Sequence, residues 1–328
     1  MKKIFIRSPY FIEVNEALQF GSKVEFRFYN KGTTIPTDAT YTLTKSIASA
    51  TQLNNAYNLS NYAAEFIRPI NPVNIAVPTE ENVNTWCYVQ VKRYTELTLG
   101  TYTLLDTETF VCLNGFTQYS DGYNYNTTDA FLPLLNTSIQ KQVLNYSTSY
   151  INVFFEAGTY TTSYGSLVVS DATLYKLPIT SSEETVEAIT INAEQLCEPK
   201  YTPIVCNFIN RFGGWEYLTF FKANTQSIEV SSSDYNLLPS SINYNVLQGQ
   251  KGVFNKQGKR KIKCNTGWVN ENYSQLIEDL MLSEIVLLDN KPALVKSQSM
   301  DIKTSLKDKN INYEIDFEFN YGLINNVI

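Results

Sequence analysis

NINYEIDFEFNY, residues 310–321, sets Ile311, Tyr313, Ile315, Phe317 and Phe319 against Asn312, Glu314, Asp316, Glu318 and Asn320. A period of two belongs to a strand, whose successive side chains leave opposite faces of the pleat. One apolar face and one acidic face describe an antiparallel strand packed on one side and wet on the other. KVEFRFYNKG alternates in the same way, with Val24, Phe26 and Phe28 against Glu25, Arg27 and Tyr29 before a turn at Asn30-Lys31-Gly32. TYTLTKSI and TWCYVQVKRY repeat the texture, and each is expected to offer one face to a core.

The 328 residues hold 23 Tyr and 18 Phe, are 43% hydrophobic, and carry turn residues every eight to twelve positions, the spacing of sandwiches and barrels. The expected class is therefore mainly β. Three regions are predicted. Residues 1–115 form an N-terminal β-sandwich, broken near NLSNYAAEFIRPINP by a short turn or helical piece that stops at Pro69 and Pro72. Residues 116–195 form a small, loop-rich β region ending in the acidic linker SSEETVEAI, and 196–328 form an antiparallel β domain. In the last, NENYSQLIEDLMLS puts Tyr273, Leu276, Ile277, Leu280 and Met281 on one stripe, which predicts one packed amphipathic helix over about 271–282 with Asn270 as N-cap and Glu271 in its first turn.

Composition also narrows the chemistry. The chain has no histidine, which removes Ser-His-Asp and Cys-His catalysis, His-ligated metals and the usual neutral-pH base. The five cysteines form no CxxC pair, so metal binding is not expected; only the Cys197 and Cys206 spacing leaves room for a disulfide. Neither GxxxxGK[ST] nor GxGxxG occurs, and no nucleotide or other cofactor is expected. Paired carboxylates remain, and Glu156 and Glu216 both sit among aromatics where a pKa could rise. A glutamate on the wet face of a hairpin is the commoner arrangement, and no catalytic residue is assigned. The reading is of a protein that is not an enzyme.

Trp86, Trp215 and Trp268 could stack sugars, but each lies in an alternating strand or beside a turn, where core or subunit packing is expected. NFINRFGGWEYLTFF, residues 207–221, accordingly reads as a packed hairpin, with Gly213-Gly214 supplying positive φ. The candidate interface residues are Trp215 and Tyr217 here, Tyr123 and Tyr125 in the tyrosine-rich NGFTQYSDGYNYNTTD, and Lys259, Arg260, Lys261 and Lys263 in QGQKGVFNKQGKRKIK. That last stretch reads as a basic loop, able to dock on an acidic neighbour or on nucleic acid, although the net charge of −6 gives no global footprint for DNA. The acidic strand 310–321 and the basic loop could pair between neighbouring subunits. No apolar run is long enough to span a bilayer, and the N-terminus lacks the apolar core of a signal peptide, so the chain is expected to be made in a cytoplasm.

IFIRSPYFIEV, GSKVEFRFYNKGTTIPTDATYTLTKSI and PIVCNFINRFGGWEYLTFFK resemble structural proteins of tailed phages infecting Bacteroidetes, including crAss-like phages. The resemblance covers about the first 50 residues and most of 198–328. In its order of elements the C-terminal part also resembles the tail-tube and distal-tail fold. What this implies is a virion protein of the tail: an adaptor- or baseplate-like ring subunit, symmetric and homo-oligomeric. Its partners would be copies of itself and neighbouring tail, portal or fibre proteins, with local contact to genomic DNA through the basic loop. The alternative is a receptor- or carbohydrate-binding tail protein.

Overall fold

The computed structural model describes residues 1–48, 52–69, 72–73, 75–82, 84–144, 146, 149–196, 200–238, 242–243, 245–299, 301 and 310–324. The chain is mainly β, with two α-helices among these residues, and it divides into two compact units. The first comprises Met1–Leu196 with Ile209–Tyr217, the second Cys197–Phe208 with Leu218–Ile328.

The first unit is built in layers. Its largest sheet runs β4 (Tyr41–Ser46), β3 (Gly21–Tyr29), β7 (Trp86–Thr98), β8 (Thr101–Leu113), β1 (Lys2–Phe5) and β9 (Asn126–Thr127). A ribbon of β2 (Phe11–Asn15) and β5 (Asn54–Asn58), with the short α1 (Ser60–Ala63), covers one face of it. Ile12, Val14, Tyr57 and Leu59 meet Val24, Phe26, Phe28, Cys87, Val89 and Val91 there in one core. The opposite face carries Phe5, Trp86, Tyr88, Val111 and Leu113, which pack with Phe154 and Leu174.

Those last two belong to a second sheet, β10 (Phe131–Pro133), β12 (Tyr150–Phe155), β15 (Thr173–Pro178) and β6 (Thr79–Glu80). Its far face gives Ile151, Val153, Phe155 and Leu177 to a third core. Tyr160, Val169, Val186 and Ile191 close that core from β11 (Lys141–Val143), β17 (Ile189–Gln195), β16 (Glu183–Val186), β13 (Gly158–Thr162) and β14 (Gly165–Val169).

Three expectations change here. TWCYVQV is not one-faced: Trp86 and Tyr88 serve one core and Cys87, Val89 and Val91 another, because β7 is central and covered on both sides. The acidic stretch 181–189 is no linker, since Glu183–Val186 is a strand and Glu184, buried, accepts hydrogen bonds from the Thr180 and Ser181 amides at 2.5 and 2.9 Å. The expected break between 115 and 116 falls inside this layered unit.

Glu25 ties the outer face of β3. Its carboxylate lies 2.8 Å from both Lys23 Nζ and an Arg27 guanidinium nitrogen and accepts from the Tyr94 hydroxyl at 3.0 Å. Burial pushes this carboxyl up, but the three donors outweigh burial and hold it at about 2, against an ordinary 4.5. The folded value lies below the unfolded one, so the charged form stabilises above the ordinary value and that stability is lost as pH falls through the folded value. In acid unfolding between about pH 5 and pH 2, the wild type is expected to lose on the order of 2 kcal/mol more than Glu25→Gln. Equal losses would show that the carboxylate contributes nothing.

The second unit holds a seven-stranded sheet, ordered β19 (Trp215–Phe220), β18 (Ile204–Ile209), β22 (Val286–Leu288), β23 (Lys291–Val295), β24 (Asn310–Gly322), β21 (Lys251–Asn270) and β20 (Thr225–Asn236). The turn between β18 and β19 and the residues flanking it, Ile209–Tyr217, are grouped with the first unit. Asp289 and Asn290 join β22 to β23 with φ of 48° and 62°, the left-handed pair that a tight hairpin turn requires. Along β24, Ile311, Tyr313, Ile315 and Phe317 are buried, as the alternation predicts. The predicted helix is α2 (Tyr273–Met281), burying Tyr273, Leu276, Ile277 and Leu280. Its N-cap, however, is Asn272 and not Asn270, and no acid stands in its first turn. Asn270 ends β21, and its side chain accepts from the Asn272 amide at 3.0 Å, so the predicted cap shapes the turn ahead of the helix.

Candidate functional site

The turn NRFGG, residues 210–214, is organised by one side chain. Asn210 Oδ1 accepts hydrogen bonds from the Phe212 and Gly214 amides at 3.0 and 3.1 Å, while its backbone amide bonds to Gly214 O at 2.9 Å. Gly213 has φ of 85°, as expected, but Gly214 does not have positive φ. Gly214 is required by space, because a Cβ there would stand 2.5 Å from Leu134 O.

Beyond the turn, Trp215 and Glu216 are both 4% exposed. Trp215 is thus placed inside the first unit, and Tyr217, half-buried, sets its ring edge-on to Tyr150 at 5.2 Å. Glu216 does not lie on a wet face: its Oε1 accepts from Lys141 Nζ at 2.7 Å and its Oε2 from Asn210 Nδ2 at 3.4 Å. Asn210 Nδ2 also donates to Leu134 O at 2.8 Å. A similar group lies close by. Lys176 Nζ stands 3.3 Å from Glu81 Oε1, and Asn152 Nδ2 donates to Glu81 Oε2 at 3.2 Å. Asn152 and Lys176 are register partners across β12 and β15. Burial pushes the phenols of Tyr150 and Tyr217 upward, aided by the charge of Glu81.

At Glu156, the other glutamate set among aromatics in the sequence, the carboxyl is lowered. Burial raises its carboxyl, but hydrogen bonds from Lys3 and the Met1 amine, both at 2.5 Å, outweigh that and lower it. It borders a cleft of about 570 Å³ that is also lined by Tyr29, Lys31, Tyr88 and Asp171. A carboxylate held ionised is a poor proton donor, and the rise that aromatic neighbours could bring is not found at Glu156. Trp86 is 1% exposed and offers no sugar platform, whereas Trp268 is 69% exposed.

The stretch read as a basic loop is a strand. Residues 251–263 belong to β21 and pair antiparallel with β20 from Lys251↔Asn236 to Lys263↔Thr225, with a bulge between Ser231 and Ser233. Lys259 bonds to Glu318 at 3.0 Å, Lys261 to Glu229 at 2.5 Å and Lys263 to Glu314 at 2.7 Å, and Lys296 stands 3.4 Å from Glu318. The acidic strand and basic segment offered to neighbouring subunits therefore meet within one chain. Alternation along 310–321 places Ile311, Tyr313, Ile315 and Phe317 on the buried face, but Glu318 of the expected wet face is buried as well and Phe319 is only half-buried, and alternation does not foretell that β21 and β24 are adjacent. Glu318 is buried beneath its two lysines, and Arg260 is exposed.

From Lys251 to Gln257, among the described residues, β21 pairs with β20 alone, which makes a two-stranded arm. Every residue of β20 is exposed. Ile228 and Val230 on β20, and Val253 and Phe254 on β21, are each about half exposed, between 46% and 59%. In the connection, Leu238, Ile242, Val246 and Leu247 are at least 80% exposed. Charge alone drew attention to the lysines of this segment, read as a loop, and missed its apolar residues, whose exposure depends on no layer among the described residues covering the arm.

Of the other interface candidates, Tyr123 is 62% exposed, while Tyr125 stacks on Phe5 with centroids 4.0 Å apart. Cys87, Cys112, Cys206 and Cys264 are buried free thiols; Cys197 lies outside the described residues. Desolvation raises Cys112 and Cys206 and pushes Cys264 up to about 12, which makes the thiolate nucleophile rare. Among the described residues no group of three or more Cys, Asp or Glu is arranged to hold a metal ion, and no helix is long and apolar enough to cross a membrane. No protein-family model, no curated protein and no solved structure matches this chain.

Proposed function

We propose that this chain is a structural subunit of a tailed-phage virion, a tail or tail-ring protein that assembles as a symmetric homo-oligomer and joins neighbouring tail, portal or fibre proteins. In this reading its work is assembly and not turnover, and it is made in the bacterial cytoplasm before joining the tail. The observation that carries the reading is the β20–β21 arm: a ribbon exposed on both faces, with apolar side chains that a lone subunit leaves in water. Exposed edge strands with apolar side chains pair or bury against partners. A closed ring repeats one such contact around an axis. The engaged lysines Lys259, Lys261 and Lys263 leave less free charge for DNA than the sequence suggests, so protein contact is favoured over nucleic acid.

Light scattering followed by electron-microscope class averages tests this. Closed rings are expected for the wild type, and Ile228→Ser with Val230→Ser, both at exposed positions, is expected to shift the population to smaller species by at least tenfold in association constant, about 1.4 kcal/mol. A monomer at high concentration that ignores other tail proteins would remove the reading.

A further inference from the structure

The Lys141, Asn210 and Glu216 group has the parts of an acyl-transfer site with both reactants supplied by the chain. Lys141 is the amine, the Asn210 carboxamide is the acyl donor, and one Glu216 carboxylate holds both nitrogens, Lys141 Nζ at 2.7 Å and Asn210 Nδ2 at 3.4 Å. The two backbone donors on Asn210 Oδ1 fix the amide so that its nitrogen, and not its oxygen, faces Glu216. They also stand where an oxyanion would form. Lys141, Asn210 and Glu216 are 6%, 1% and 4% exposed. A buried ion pair is a weak source of stability compared with apolar packing, so stability alone gives little reason to bury this one.

We propose that Lys141 and Asn210 become joined by an amide bond between Lys141 Nζ and Asn210 Cγ, formed in the folded chain with Glu216 carrying the protons. Glu216 takes a proton from the Lys141 ammonium, and the freed amine lone pair attacks Asn210 Cγ. Negative charge gathers on Oδ1, held by the Phe212 and Gly214 N–H groups. Glu216 delivers its proton to Nδ2, the Cγ–Nδ2 bond breaks, and ammonia leaves. The new amide nitrogen sheds its second proton, which departs with the ammonia as ammonium, and Glu216 ends as it began. No oxidant, reductant or cofactor enters. The bond would staple β11 to the 210–214 turn.

The Lys176, Glu81 and Asn152 group is an internal comparison. Its lysine contact is longer, at 3.3 Å, and Asn152 Oδ1 accepts one backbone donor, Trp215 N at 2.8 Å. The bond is therefore assigned to Lys141 and Asn210.

Intact-mass measurement of the purified full chain, followed by tryptic mapping, decides the matter. The expected result is a mass about 17 Da below that of the sequence, the ammonia lost in acyl transfer. It is accompanied by a branched peptide joining the Lys141 and Asn210 segments, with no cleavage after Lys141. Glu216→Gln is expected to restore the full mass. A wild-type chain at full sequence mass, or a loss of ammonia mapped to any other residues, overturns the proposal whether or not the variant folds. A Glu216→Gln chain that still carries the bond overturns the role given to Glu216.

Discussion

Trp86→Ala is expected to destabilise the first unit by about 3–5 kcal/mol, the usual cost of emptying a large aromatic site in a core. The indole is 1% exposed and is met edge-on by Tyr88 at 4.9 Å and Phe154 at 5.3 Å. Removing it opens a cavity between two sheets that cannot collapse without moving β7, which is also packed on its other face through Cys87 and Val89. Denaturant unfolding followed by circular dichroism measures the loss. Hydrogen exchange on β7 and β8 locates it. A cost below about 1 kcal/mol would mean the indole is not a core element and would reopen a ligand-stacking role at this position.

Phe317→Ala is expected to cost the second unit a similar amount, about 3–5 kcal/mol. Phe317 is fully buried on the apolar face of β24, with its ring edge-on to Phe220 at 5.7 Å. It lies opposite Ile262 of β21 and Val295 of β23, so its loss loosens the centre of the sheet on both sides. Hydrogen exchange resolved by segment is expected to show the faster exchange in β21 to β24. If protection there is unchanged while global stability falls, the burial argument for Phe317 is wrong.

These two residues mark how far local reading reaches. Phe317 was legible because its strand alternates without exception and one face is apolar. Trp86 was legible as a strand residue, but not as one of a strand with two cores, because Gln90 and Lys92 made TWCYVQVK look one-sided. The helix stripe was readable from its i, i+3, i+4 spacing. Its cap was not, since three asparagines and a glutamate crowd residues 265–272 and the turn geometry chooses among them. The acidic stretch at 181–189 was misread because charge was taken as a sign of solvent; Glu184 is instead satisfied by backbone amides.

The candidate site was less legible still. Glu216 drew attention for its aromatic neighbours, but Lys141, Asn210, Asn152 and Glu81 carried no local signal. What the sequence by itself determined was the β class, the two faces of β24 and β3, and the helix stripe, because these depend on residues a few positions apart on one element. Only the tertiary structure decided what each polar face meets. Lys263 finds Glu314 through the register of β21 on β24, and Glu216 finds Lys141, 75 positions away. Layer order and register set such pairings, and the alternation within a single strand is the same whichever partner lies beside it.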